Sequence, residues 1–145
     1  MEDIKKLREE TGAGIMDAKK ALAESNGDYA AALKWVEARG IAKAEKKADR
    51  ETNEGFVGSY IHTTGKIGAM VSLLCETDFV ARNEEFRALA QELAMQVASM
   101  QPASVEELLE QEHIRTGKVI RDMVKGLSGK IGENIVVGDL KLIAL

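Results

Sequence analysis

The run from Ile67 to Cys75 constrains this chain more than any other stretch. Ile67, Ala69, Val71, Leu73 and Cys75 recur at every second position, which places them on one face of a half-buried strand. A helical pattern begins at Phe86, so the chain has to turn a corner between Glu76 and Asn83. A strand with one apolar face leading into an amphipathic helix points to a sheet covered by helices on that face. Asp78 and Phe79 stand side by side in the corner. On one reading Asp78 starts the next helix and Phe79 packs beneath it. On the other, Phe79 lies at an exposed corner outside both periodic faces.

The flanking segments fit the same architecture. Val57, Ser59 and Ile61 alternate with Phe56, Gly58, Tyr60 and His62 as a first strand, and Thr63-Thr64-Gly65-Lys66 supplies a hairpin turn. Phe86, Leu89, Ala90, Leu93, Val97 and Met100 form the stripe of a long helix that ends at Gln101-Pro102. Glu84 and Glu85 lie in its first turn, where the helix dipole favours acids. Ser104-Val105-Glu106-Glu107 reads as a capping box for a following helix. Ile120, Val124, Leu127 and Ile131 mark another helix before Gly132, and a third strand runs from Ile135 to Leu145. The order β-β-α-α-α-β predicts an α+β core, a small antiparallel sheet of about three strands packed with helices, over residues 55–145.

Residues 1–40 read as a module of three short helices. Ile4 and Leu7 share a face in the first, which ends near Thr11-Gly12. Ile15, Ala18 and Leu22 recur at helical spacing in the second, and Asn26-Gly27 stops it. Asp28 is placed to cap the third, whose inner face is Tyr29, Ala32, Leu33 and Val36 and whose pattern ends at Gly40. Residues 41–54 favour helix but lack an apolar stripe, so they read as a charged linker.

Composition removes several classes of function. The net charge of −4 gives no clustered basic surface for nucleic acid, and the basic residues at 43–50 read as solvated linker. Charges or glycines interrupt every apolar run, which argues against a membrane span. The start, Met1-Glu2-Asp3-Ile4, lacks the order of a signal peptide, so a cytoplasmic protein is expected. One cysteine, Cys75, excludes an internal disulfide and reads as a small buried side chain. Gly12-Ala13-Gly14 has no preceding strand, and Lys19-Lys20 is not followed by Ser or Thr at the phosphate-loop spacing. His62 and His113 lie in different elements, with no partner at metal-ligand spacing. No nucleophile constellation is present, so neither an enzyme nor a cofactor or small-molecule substrate is expected. A passive interaction protein and a nucleotide-binding enzyme are the rival readings.

Three ordered segments carry a resemblance. Thr77-Asp78-Phe79-Val80-Ala81 resembles the central motif of the elongation factor Ts family, the guanine-nucleotide exchange factors of elongation factor Tu. Leu7-Arg8-Glu9-Glu10-Thr11-Gly12-Ala13-Gly14-Ile15-Met16-Asp17-Ala18-Lys19-Lys20-Ala21-Leu22 is similar to that family's N-terminal module, a ubiquitin-associated-like three-helix fold. Lys130-Ile131-Gly132-Glu133-Asn134-Ile135 is similar to a third family segment.

The resemblance implies that Asp78 and Phe79 intrude into the nucleotide-binding domain of elongation factor Tu beside its magnesium site. Thr77, Val80 and Ala81 complete that motif. It also implies a second contact through Arg8, Ile15 and Met16, where Ile15 stands in place of the commoner Met. Ile15 also fits the inner face of its helix, and Met16 is the better candidate for exposure. Typical members continue past the third strand into a second core half, and shorter members suggest that two copies pair. A homodimer is expected on a second ground as well. The final strand has apolar residues on both faces, interrupted only by Asp139 and Lys141, and such a strand at a sheet edge is a pairing template.

Overall fold

The computed structural model describes residues 1–145. Three helices come first: α1 (Glu2–Thr11), α2 (Ile15–Glu24) and α3 (Tyr29–Glu45). A hairpin follows, β1 (Glu54–Ile61) and β2 (Ile67–Cys75), and then α4 (Asp78–Ala81), α5 (Glu84–Met100), α6 (Val105–Glu110) and α7 (Ile120–Ile131). Strand β3 (Val136–Ala144) closes the chain. The protein is therefore mixed helix and sheet, as the periodicities predict.

Local chemistry sets the helix ends. Gly12 takes a left-handed conformation (φ 73°) and its N–H donates to the Arg8 carbonyl at 2.8 Å, which stops α1. The Asp28 carboxylate accepts from the Ala31 N–H at 3.3 Å and starts α3. The three helices bury Leu7, Ala18, Ala21 and Ala32 between them, a small core of largely alanine contacts. Expected to stop at Gly40, α3 instead continues to Glu45. Gly40 is a point of close approach to α7 rather than a helix stop, and that packing offsets the roughly 1 kcal/mol that a glycine costs a helix interior.

The strands form one antiparallel sheet in the order β1-β2-β3. Ala69, Val71, Leu73 and Cys75 face inward and are buried against Phe86, Leu89, Ala90, Leu93 and Val97 of α5. The opposite face pairs Val57 with Ser72, Ile61 with Gly68, Gly68 with Ile143 and Met70 with Lys141. No helix covers it: Val57 is 57% exposed, Ile61 69%, Met70 50% and Ile143 71%.

The stripe on α5 differs from expectation at two positions. Met100 is half exposed, whereas Gln96 is fully buried. The Gln96 amide donates to Gln111 Oε1 and the Glu112 carbonyl and accepts from the Ile114 N–H, so its burial costs no unpaired polar group. It fixes the loop that leads from α6 toward α7. That loop also holds His113, buried between the Glu92 carboxylate and the Thr116 hydroxyl. At α6, Ser104 Oγ accepts from the Glu107 N–H at 3.1 Å, while the Glu107 carboxylate reaches back to the Ala103 N–H.

Candidate partner-docking site

The corner after β2 is one helical turn, α4, and its geometry begins at Thr77. The Thr77 hydroxyl accepts from the Val80 N–H at 3.3 Å, so Thr77 and not Asp78 caps the turn. The same hydroxyl donates to Glu133 Oε2 at 2.7 Å. Glu133 Oε1 accepts from the N–H groups of Glu76 (3.0 Å) and Thr77 (3.1 Å). One carboxylate thereby satisfies two backbone donors that the strand-to-helix turn would otherwise leave unpaired.

The turn divides its four residues by face. Val80 and Ala81 point inward and join the main core. Asp78 and Phe79 point outward. Asp78 pairs with Arg82 one turn later at 2.5 Å, an exposed contact worth little to stability. Phe79 is 82% exposed and belongs to no apolar cluster of the chain. This removes the reading in which Phe79 packs beneath the next helix. The cap of that helix is Asn83, whose side chain accepts from the Phe86 N–H at 3.0 Å.

Arg8, Ile15 and Met16 flank the turn between α1 and α2. Arg8 is exposed in the last turn of α1, Met16 is 74% exposed and Ile15 is 45% exposed, so Ile15 is only partly taken up by packing. Residues 130–133, spanning the end of α7, adjoin both Gly12 of the first turn and Thr77 of the corner. Lys130, near the end of α7, lies directly under Gly12, where a Cβ would stand 2.8 Å from Lys130 Cγ. Lys130 Nζ also pairs with Glu85 at the start of α5, at 2.8 Å. Three residues later Glu133 holds Thr77.

The third segment singled out in the sequence is thus the joint between the other two. Gly132 makes this possible by ending α7 at φ 92°, a backbone that residues with a Cβ rarely adopt. Sequence reasoning noted the segment but assigned no role to Glu133 or Asn134. The Gly132 helix stop followed by two polar residues was the available signal.

The exposed corner is a projection, not a pocket. A cleft of about 840 Å³ opens where α1–α3 face α5 and α7, lined among others by Asp17, Arg39, Lys43, Glu85 and Lys130. No corner residue lines it. Phe79 is thus a single exposed aromatic on a braced turn, with no apolar neighbour of its own chain to cover it.

Comparison with known proteins places the chain in a family. The family model for elongation factor Ts matches residues 76–145. Elongation factor Ts of Oleidesulfovibrio alaskensis is 44% identical over 181 residues, covering 93% of this chain and 91% of that protein. The Thermosipho melanesiensis protein of the same name is 51% identical over 142 residues, covering 94% and 72%. That of Thermosynechococcus vestitus is 47% identical over 146 residues, but the chain spans only 48% of its length. The Oleidesulfovibrio alignment is longer than this chain's 145 residues, so that relative carries interior residues which this chain lacks. The chain belongs to the elongation factor Ts family of translation elongation factors.

Proposed function

We propose that this chain is a cytoplasmic guanine-nucleotide exchange factor that binds elongation factor Tu and promotes GDP release. The observation that carries the proposal is an aromatic side chain left 82% exposed on a turn whose backbone is braced from beneath. Phe79 enters the nucleotide-binding domain of elongation factor Tu beside its magnesium site, with Asp78 at the tip. Burying a Phe side chain contributes roughly 1.5–3 kcal/mol. Each 1.4 kcal/mol or so is tenfold in an equilibrium constant. Because the GTPase accepts the ring only in a distorted state, that energy favours the conformation in which magnesium and phosphates are poorly held. By linkage, rebinding nucleotide displaces the factor, so exchange consumes nothing.

The helical module over residues 1–40, joined to the core through residues 41–54, supplies a second contact through Arg8, Ile15 and Met16. The exposure of Met16 supports this role. Two copies of the chain pair through the uncovered sheet face or the free edge of β3, where Val57, Ile61, Met70 and Ile143 expose apolar surface. No cofactor, metal or nucleic acid takes part. The test is release of a fluorescent GDP analogue from purified elongation factor Tu. Substoichiometric chain should accelerate release, and an unchanged rate at saturating chain would overturn the proposal.

A further inference from the structure

We infer that Glu133 is a positioning residue for exchange, a clamp that holds the Asp78–Phe79 corner in the geometry in which it meets its partner. The inference rests on the exchange reading above and adds a role for a residue that does not itself touch the partner.

The side chain of Glu133 makes three hydrogen bonds, and all three go to the corner. Oε1 accepts from the Glu76 and Thr77 N–H groups at 3.0 and 3.1 Å, and Oε2 accepts from the Thr77 hydroxyl at 2.7 Å. The last bond orients the Thr77 hydroxyl so that its lone pairs face the Val80 N–H, which it caps at 3.3 Å. The ionised acceptor strengthens each contact, since charge-assisted hydrogen bonds are roughly twice as strong as neutral ones.

Glu133 is itself held on both sides. The buried Ser128 hydroxyl donates to its carbonyl at 2.5 Å, and the next N–H, of Asn134, donates to the Glu76 carboxylate at 2.7 Å. The Asn134 side chain extends the brace by donating to the carbonyls of Ala48 and Arg50, which ties the segment after α3 to the same joint.

Beyond pairing the Glu76 and Thr77 N–H groups, this arrangement sets the direction of the corner. A turn of four residues already buries Val80 and Ala81 in the core. The bonds from Glu133 instead fix the azimuth of that turn, and so the direction in which Phe79 projects. A wedge gains only if its ring arrives ordered, because immobilising it on binding costs free energy that pre-organisation removes beforehand. The clamp therefore acts on the rate at saturation more than on encounter.

The experiment compares Glu133→Ala, Glu133→Gln and Thr77→Val with the wild type. Hydrogen exchange at the Thr77 and Val80 amides is read in the free chain, and GDP release from elongation factor Tu is measured across a range of chain concentrations. Glu133→Ala should speed amide exchange at the corner and leave the other core amides protected. It should lower the saturating release rate by about tenfold while changing the half-saturating concentration by less than about threefold. Glu133→Gln keeps the Oε1 acceptor and should recover most of the rate. Thr77→Val removes the hydroxyl link to Glu133 together with the cap on the Val80 N–H, leaves both backbone bonds to Glu133 Oε1, and should fall between them, which keeps the test decisive if Glu133→Ala fails to fold. A loosened corner with full saturating activity would overturn the positioning role, and so would a corner whose amides stay protected in all three variants. A wild-type chain that fails to accelerate release overturns the exchange reading instead, while the amide protection still reports whether the clamp exists.

Discussion

Gly129 of α7 faces Gly40 of α3 so closely that a Cβ on Gly129 would stand 2.3 Å from the Gly40 carbonyl oxygen. Two helices from opposite halves of the chain meet there backbone to backbone. Gly129→Ala must push them apart and should cost about 1–3 kcal/mol, the usual range for overpacking. Gly126, one turn away on the same helix, has no atom within 4 Å of the position a Cβ would take. Gly126→Ala should therefore be neutral or stabilise the protein by roughly 0.5–1 kcal/mol through reduced chain entropy. Denaturant melts of the two variants should move in opposite directions.

Periodic positions were legible in the sequence because period alone assigns them. Ile67 to Cys75 and the Phe86–Val97 face lie where alternation and the helical repeat put them. Positions where polarity or a glycine serves an unusual neighbour were not legible. Gln96 is buried because the 111–114 loop supplies its partners, and no local pattern announces a loop. Gly40 looked like a helix stop because its partner, Gly129, lies far away in sequence. At the corner, residue type alone favoured Asp78 as cap. Thr77 holds that place because Glu133 fixes its hydroxyl. The exposure of Phe79 followed from its lying outside both apolar faces, whereas the brace beneath it depended on a contact across 56 residues.

Cys75 is fully buried and its Sγ donates to the Thr77 carbonyl at 3.2 Å. Burial first, and the Glu133 carboxylate second, push its pKa up to about 11. The native chain should show no thiol reactive to an aromatic disulfide reagent at pH 8, and one per chain after unfolding. Rapid labelling of the native protein would show that the corner opens.

Acid should weaken the N-terminal helices through Asp17. Its hydrogen bond to Lys43 at 2.7 Å, aided by the charges of Lys43 and Arg39, holds its pKa below the ordinary value of 3.8. A depressed folded-state pKa means that the contact stabilises the protein above the ordinary carboxylate range. That stability is lost as pH falls through the folded-state pKa. Asp17→Asn should melt lower than wild type at pH 7, with the gap closing below about pH 3.8. A gap that stays constant across that range would assign the effect to something other than the carboxylate.

The uncovered sheet face and the free edge of β3 predict association. Light scattering at micromolar concentration should give about twice the 15.8 kDa of one chain. Ile143→Lys, which charges a residue 71% exposed in the isolated chain, should shift the mass toward one chain without lowering secondary structure. A wild-type mass near 15.8 kDa refutes the pairing.

The central claim is that Phe79 does its work in the partner and not in the fold. The most direct measurement is GDP release from elongation factor Tu driven by Phe79→Ala, with thermal melting of the same variant. The variant should melt within a degree or two of wild type, since the ring is 82% exposed. Its saturating release rate should be lower by about tenfold to a hundredfold, the loss of one buried Phe side chain. A variant that melts several degrees lower yet accelerates release as fully as wild type would place Phe79 in the fold and rule out its role as a wedge.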